Sequence, residues 1–485
     1  MAWPLIALPL LAAVVAFLPW SRRFRVRLLP AVGGLHLALL AATLAWRALH
    51  GGVQPTPDAP NAWLGLDPLG AWTLLVVSVL FCFCAWYAPA YLALRPERPT
   101  RAFCASFLGF LGLASLLAQA RHPGLVWVAM ETTTLCTAPL VYFNRNRRSL
   151  EATWKYLIIG SVGIALALLG TLFLAYAAHM GGLDEPLFFS RLAEHGAGLS
   201  RPWLRAGFVL ALVGYGTKMG LAPLHAWKPD AYGESPGVIG ALLAGGVTSC
   251  AFLALLRIYG VAAAAGELEF ARELMVGMGL LSMAWAAVFM VRQQDIRRLL
   301  AYSSVEHMGI LAFGIGVGGR AAVFALYHLA ANALVKGVLF MSAGNINRSY
   351  ASKRLPHIAG ALRRTPVSGW LFFLGFLAIT GTPPFAPFIS EFNIAAAALA
   401  RPGLWAGVVF LALLGGIFLA MSDTVVQVVF GSPNPHRVRT PYRDTAATTA
   451  PLVVALALAM TLGLWLPRPL DTLLRSAAGQ VEGQP

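Results

Sequence analysis

The chain has 485 residues, of which 58% are hydrophobic and only 12% are charged. Soluble globular domains carry about 25% charged and about 45–50% apolar residues, so this composition excludes them and indicates an integral protein of the lipid bilayer. The formal charge of +16 does not indicate a nucleic-acid partner, because the basic residues lie in short loops between apolar runs, where they act as topology signals.

The apolar runs predict an all-α polytopic membrane protein with about fourteen transmembrane helices, since a spanning helix needs about 20 apolar residues. In chain order, predicted helices 1 to 14 span residues 3–20, 28–49, 69–92, 103–120, 123–143, 155–178, 206–224, 237–259, 274–291, 299–318, 321–343, 366–399, 403–430 and 449–466. The connection at 179–205 carries apolar residues among its charges, which predicts a short interfacial helix. After helix 14 we expect only a short tail.

Basic residues are distributed unequally between alternate loops. One set of loops holds 22 Lys and Arg residues, with Lys228 counted among them, and the other set holds 11. Loops rich in Lys and Arg face the cytoplasm. The sequence therefore predicts that both termini lie outside, in the periplasm if the protein resides in a bacterial inner membrane.

Two of the predicted helices are interrupted by glycine and proline. Helix 7 runs into Gly220 and Pro223, and proline removes a backbone donor and clashes with the preceding turn. Helix 12 is interrupted by Gly381, Pro383, Pro384 and Pro387. Freed backbone groups are tolerated in a membrane only where protein or water satisfies them. Two broken helices in matching positions of two halves indicate an ion path at the interface of inverted repeats.

The offset of five helices between the two breaks predicts two inverted repeats, helices 4–8 and helices 9–13. The chain then divides into four regions: 1–102 with helices 1–3, 103–259 with the first repeat, 260–430 with the second repeat, and 431–485 with helix 14 and a short tail.

Four ionisable residues lie inside predicted helices, where charge is costly and marks a functional candidate. They are Glu131 in helix 5, Lys218 in helix 7, Lys336 in helix 11 and Glu391 in helix 12. His328 and Asn332 precede Lys336 by eight and four residues, a spacing that predicts a polar track along one helical face. The alternative is that these groups form buried ion pairs that only hold the helices together.

His307 follows Glu306 in predicted helix 10, and the sequence leaves open whether it carries protons or simply packs. The five cysteines all lie in apolar runs, which favours structural roles over metal binding. We find no CxxC, haem or nucleotide-binding motif, and therefore expect no metal or other cofactor in this chain.

Three stretches resemble the antiporter-like proton-pumping subunits of respiratory complex I and its relatives. They are GTKMGLAPLHAWKPDAYGESP at 216–236, QQDIRRLLAYSSVEHMGIL at 293–311 and GTPPFAPFISEF at 381–392. Within this family, residues 127–177 are most similar to the hydrogenase-4 component F group of membrane-bound hydrogenases.

The resemblance implies roles by position. Glu131 would be the carboxylate that tunes Lys218, the central proton carrier. His328 and Lys336 would continue the path to Glu391, the terminal site in helix 12. The chain would couple electron transfer in partner subunits to proton movement.

The partners that the resemblance implies are other membrane subunits and peripheral hydrogenase or iron–sulfur subunits. Any Fe–S, Ni–Fe or flavin group would then belong to those subunits. The alternative is a multisubunit cation/proton antiporter or a bicarbonate-accumulating transporter without redox chemistry. The sequence departs from many relatives at Ser249, where they place a helix 8 lysine, and from some at Asn332, where they place a histidine.

Overall fold

The computed structural model describes residues 2–49, 62–183, 187–401, 404–432 and 440–483. Across those ranges the chain is almost entirely helical and contains isolated bridges but no strand. We label the long helices α1 (Ala2–Phe17), α2 (Arg22–Leu49), α3 (Pro68–Ala93), α4 (Arg101–Gln119), α5 (Pro123–Val141), α6 (Arg147–Met180), α7 (Arg201–Met219), α8 (Gly237–Ala264), α9 (Leu268–Met290), α10 (Ile296–Val317), α11 (Arg320–Tyr350), α12 (Pro366–Ile379), α13 (Ala386–Leu399), α14 (Trp405–Phe430), α15 (Ala446–Leu464) and α16 (Arg468–Val481).

The helices confirm the predicted fold class. Thirteen of the fourteen predicted spans each overlap one long helix, and predicted helix 12 corresponds to two shorter helices, α12 and α13. Among the described residues, eleven helices are long and apolar enough to cross a membrane, and α1, α12 and α13 are shorter apolar helices. The protein is therefore a multi-pass membrane protein. The division into two inverted repeats stays a prediction.

Several helices begin with an N-cap side chain of the residue type that the local sequence predicts. The carboxylate of Asp67 accepts a 2.6 Å hydrogen bond from the amide of Gly70 at the start of α3. Asn146 and Ser149 form a reciprocal capping box at the start of α6. Such caps satisfy amide groups that the first helical turn leaves without partners.

Both predicted breaks are present. After α7, Gly220 adopts a φ of +85°, and a short helix Trp227–Glu234 precedes α8. After α12, Gly381 adopts a φ of +69° before α13 begins. Pro223 and Pro384 each follow a cis peptide bond within these breaks, and Pro383 is the residue before Pro384.

One predicted break residue lies elsewhere. Pro387 sits in the first turn of α13 and not in the interruption. Proline is tolerated there because the first-turn amides have no intrahelical acceptor. Pro387 is therefore compatible with the start of α13, whose first residue is Ala386.

α8 contains a π-helical turn at Leu243–Val247, which the sequence pattern does not predict. Every residue of this turn is buried. Ser249 lies just after it. Its hydroxyl donates a 2.6 Å hydrogen bond to the carbonyl oxygen of Gly245, so the side chain is committed to its own helix.

The region after predicted helix 14 is not a plain tail. It forms the amphipathic helix α16, whose buried face consists of Leu473, Leu474, Ala477, Ala478 and Val481. Gln480 accepts a 3.2 Å hydrogen bond from the amide of Leu69, which ties α16 to α3. The short helix predicted within 179–205 is confirmed as Phe189–Glu194.

Candidate functional site

A row of buried ionisable side chains extends between the two broken helices. Its members come from α5, from the segments around both breaks, and from α10 and α11. Lys218, Lys228, His307, His328 and Lys336 are fully buried, and Glu306 and Glu391 are 3% and 6% exposed. Because burial of ionisable groups is costly, such a concentration in a membrane protein marks a candidate functional site.

The first part of the row joins α5, α6 and α7. Glu131 is half-buried, and its Oε1 accepts a 2.8 Å hydrogen bond from the hydroxyl of Ser161. The Nζ of Lys218 lies 4.4 Å from the centre of the Tyr156 ring and has no hydrogen-bond partner among the described residues. The predicted pair of Glu131 and Lys218 is therefore not closed in this conformation.

The position of Lys218 follows from the break. It is the penultimate residue of α7, one residue before Met219, and the chain then turns at Gly220. Its Nζ reaches α6, where a Cβ added to Gly160 would lie 3.0 Å from it. The break therefore places the ammonium group at the end of a helix, directed toward its neighbour α6.

The second part of the row contains a lysine, a serine and a carboxylate. Lys336 donates a 2.6 Å hydrogen bond to Oγ of Ser303. Ser303 in turn donates a 3.3 Å hydrogen bond to Oε2 of Glu306. The hydroxyl thus connects the amine on α11 to the carboxylate on α10. In the sequence, Glu306 is recognisable only as a neighbour of His307, and its connection to Lys336 through Ser303 is not predicted.

Two histidines continue the row toward α13. Nδ1 of His307 lies 2.9 Å from Nε2 of His328, and Nδ1 of His328 lies 2.8 Å from Oγ of Ser390. His307 therefore lies in the buried row, and its role as a proton carrier stays a prediction. His307, His328 and Glu391 offer ligand atoms within 4.8 Å of one another. This is a possible metal donor set, but the two imidazoles already share a hydrogen bond.

Glu391 occupies the space beside the second break. Its Oε2 lies so close to the position of a Cβ on Gly381 that a side chain there would displace the carboxylate. The positive φ of Gly381 also favours glycine at this position. Oε1 of Glu391 is buried and lacks a hydrogen-bond partner within the described part of the chain.

The polar track predicted along α11 stays a prediction as a proton path, and the structure shows where its residues lie. His328, Asn332 and Lys336 are all buried on this helix. However, Oδ1 of Asn332 has no hydrogen-bond partner in the described residues. The side chains of Lys336 and His328 form hydrogen bonds with neighbouring helices instead. Lys336 bonds to Ser303 on α10, and His328 bonds to Ser390 on α13. The track therefore crosses between helices and does not follow one helical face.

The prediction that Lys228 is one of the basic loop residues is wrong. The side chain is fully buried, and its Cε and Nζ occupy the space beside Gly220 where a Cβ would be. Its Nζ donates a 3.3 Å hydrogen bond to the carbonyl oxygen of Ser304 on α10. The helix break in the sequence could have indicated that Lys228 is buried, because a segment that follows a broken helix can remain inside the helix bundle.

These features define a class of multi-pass membrane proteins with two interrupted helices joined by a buried row of ionisable side chains. Residues 120–417 match the family model described as NADH:quinone oxidoreductase/Mrp antiporter, TM. The chain belongs to this family, and the resemblance seen in the sequence is confirmed.

Individual relatives agree with this assignment. The chain is 37% identical over 389 residues to the hydrogenase-4 component F homolog of Methylacidiphilum infernorum, covering 78% of this chain and 81% of that protein. It is 31% identical over 425 residues to NADH-quinone oxidoreductase subunit N of Desulforudis audaxviator, covering 84% and 82%. A chain of the Mrp complex from Dietzia sp. shares its fold with a TM-score of 0.87 at 22% identity, covering 99% of this chain and 96% of that chain.

Proposed function

We propose that this chain translocates protons as a membrane subunit of a hydrogenase-4 or complex I-like oxidoreductase complex. The observation that carries the proposal is the buried row of Lys, His and Glu side chains between the two broken helices. Chains of Asp, Glu and His inside membrane proteins serve as proton relays in pumps and transporters. Electron transfer, with any Fe–S, Ni–Fe or flavin group, is assigned to partner subunits, and this chain is the proton-moving part.

The proposed switch is the open pair of Glu131 and Lys218. A buried ammonium group is disfavoured unless a carboxylate approaches it. Closing the pair favours proton uptake by Lys218, and opening it favours release. A hundredfold change in proton affinity corresponds to about 2.7 kcal/mol. This is close to the roughly 2.3 kcal/mol needed to move one charge across 100 mV.

From Lys336 the proposed path follows hydrogen bonds in part, with a separation of 3.7 Å between Oε2 of Glu306 and Nε2 of His307. Ser303 connects Lys336 to Glu306. The contact between His307 and His328 then leads toward α13, which carries Glu391. Hydroxyl and imidazole groups both donate and accept, so each can pass a proton along by exchanging its donor and acceptor roles.

The distribution of basic residues supports an orientation. The ends of α3, α5, α11 and α14 that carry the arginine-rich loops are assigned to the cytoplasm. Both termini then lie in the periplasm, and the membrane is the bacterial inner membrane. Reaction of an introduced cysteine near residue 480 with an impermeant thiol reagent in intact cells tests this assignment.

The experiment begins with purification of the tagged complex and identification of its subunits by mass spectrometry. Proton uptake is then followed in membrane vesicles with a pH-sensitive dye, driven by the substrate of the redox subunits that co-purify. Lys218→Ala is expected to abolish proton uptake while the complex still assembles. The matched control is Lys155→Ala, which removes a partly exposed lysine paired with Glu151 at 2.7 Å and Asp230 at 2.8 Å.

Two outcomes would contradict the proposal. Proton uptake at the wild-type level in Lys218→Ala would remove the central carrier from the mechanism. Co-purification of membrane subunits alone, without a redox partner, would transfer the function to cation/proton antiport or bicarbonate accumulation. Sodium-dependent proton exchange in the same vesicles would then distinguish an antiporter.

A further inference from the structure

Lys228 lies between the two parts of the buried row. Its side chain leaves the short helix Trp227–Glu234 and fills the space opened by Gly220 at the first break. Nζ donates to the carbonyl oxygen of Ser304. The residue before Ser304 is Ser303, whose hydroxyl accepts the hydrogen bond from Lys336. Lys228 therefore connects the break that follows Lys218 with the neighbourhood of Lys336.

Within the described chain, the surroundings of Lys228 contain bases but no counter-ion. The side chain is fully buried, and no carboxylate of the described residues lies within 4.0 Å of its Nζ. The titratable groups that face it are His225 and Tyr232 from its own segment, His307 from α10 and Lys336 from α11. A permanent ammonium without a carboxylate is costly in such a place, so the residue is suited to holding a proton only briefly.

The neighbouring helix α8 does not supply a substitute carrier. Its one charged residue, Arg257, is committed to a 2.5 Å ion pair with Asp67. The hydroxyl groups of Thr248 and Ser249 each donate a 2.6 Å hydrogen bond to the backbone of α8. The middle of α8, which the structure describes in full, thus offers no acidic or basic side chain to connect the halves.

We propose that Lys228 is a proton carrier between Lys218 and Lys336. This inference rests on the proposed function and adds a residue to its path. The neutral Lys228 amine accepts a proton released by the Lys218 ammonium, through intervening water, and becomes an ammonium. It then gives the proton to the neutral Lys336 amine and returns to its neutral form. One proton has moved, and Lys218 and Lys228 are both neutral amines ready to accept the next.

The test measures proton uptake in vesicles that contain the complete complex. Lys228→Met removes the base and is expected to lower proton uptake at least tenfold. Lys228→Gln keeps a donor for the Ser304 carbonyl but cannot carry a proton, so it is expected to fail equally. Lys228→His keeps a titratable base and is expected to restore part of the uptake, with a pH–rate profile displaced from that of the wild type.

The control is Lys155→Met, because Lys155 contacts Asp230 on the same short helix but lies outside the row. It is expected to transport like the wild type. Subunit composition and thermal stability in detergent are recorded for all variants, so that a failure to assemble is recognised.

The outcomes distinguish a failure of the role proposed for Lys228 from a failure of the proposed function. Wild-type uptake in Lys228→Met, or full restoration by Lys228→Gln, overturns the role of Lys228. If Lys218→Ala abolishes uptake under the same conditions, the proposed function survives that result. If the wild-type complex moves no protons during turnover of its redox subunits, the proposed function fails and the role of Lys228 fails with it.

Discussion

The imidazoles of His307 and His328 share a 2.9 Å hydrogen bond between Nδ1 of the first and Nε2 of the second. One nitrogen of this pair must donate while the other accepts. Passage of a proton therefore requires both rings to exchange their roles. Since the second nitrogen of His328 lies within hydrogen-bond distance of Ser390, the pair forms a directed connection from α10 through α11 to α13.

Replacement of His328 by alanine is expected to break this connection. It removes the contacts to His307 and Ser390 together. Positioned proton-transfer groups contribute about 10²–10⁴-fold to rates, and we expect a loss in that range when proton uptake is measured in vesicles. His36→Ala is the matched control, because His36 is equally buried and bonded to Ser115 and Ser78 but lies outside the row. An equal loss in both variants would contradict a specific role.

Glu131→Gln keeps a carbonyl oxygen for the hydroxyl of Ser161 but removes the charge that acts on Lys218. We expect proton uptake to fall by about tenfold, which corresponds to about 1.4 kcal/mol of lost interaction between the two charges. This effect is smaller than the loss expected for Lys218→Ala. The control is Glu151→Gln, whose carboxylate is 61% exposed and pairs with Lys155. Unchanged uptake in Glu131→Gln would contradict the tuning role.

The number and order of the helices were predictable because about twenty apolar residues suffice for a span. The amphipathic helix α16 was missed because it lacks such a run and buries only one face. Lys218, Lys336 and Glu391 were recognised because charges inside apolar runs are conspicuous. Lys228 was missed because a lysine in a proline-containing connection has the same sequence pattern as a topology charge.

Contacts between helices were beyond the reach of the sequence. No periodic pattern indicates that Ser303 bridges Lys336 and Glu306, because the lysine and the carboxylate come from different helices. The same is true of the space beside Gly381, which depends on how α13 folds back against the break. Helical spacing placed His328 and Lys336 together on α11, but their hydrogen bonds are decided by the neighbouring helices.

Comparison of Gly381→Ala with a control glycine variant is expected to separate the effect of backbone strain from the effect of displacing the Glu391 side chain. A left-handed residue with a Cβ costs about 1–2 kcal/mol, and at this position the new methyl group would also displace the carboxylate of Glu391. We expect lower thermal stability and a loss of proton uptake. Gly266→Ala is the control, because Gly266 has a φ of +77° with nothing within 4 Å of an added Cβ. It should lose similar stability but retain proton uptake.

The buried ion pair of Arg257 and Asp67 is expected to support folding and not transport. Arg257 donates at 2.5 Å to Oδ2 of Asp67, and both side chains are at most 6% exposed. Removing one partner of a buried pair leaves an uncompensated charge and costs about 3–5 kcal/mol. Arg257→Met should therefore lower the melting temperature in detergent strongly, while correctly assembled complexes still move protons.

The comparison for this pair is Arg475→Ala, which removes a partner of Asp471 at 2.9 Å on the exposed side of α16. Exposed pairs contribute at most about 1 kcal/mol, so its melting temperature should stay near that of the wild type. Equal destabilisation by both variants would show that burial does not determine how much stability is lost when an ion pair is broken. Loss of proton uptake in assembled Arg257→Met complexes would contradict a purely structural role and would place the pair in the transport mechanism.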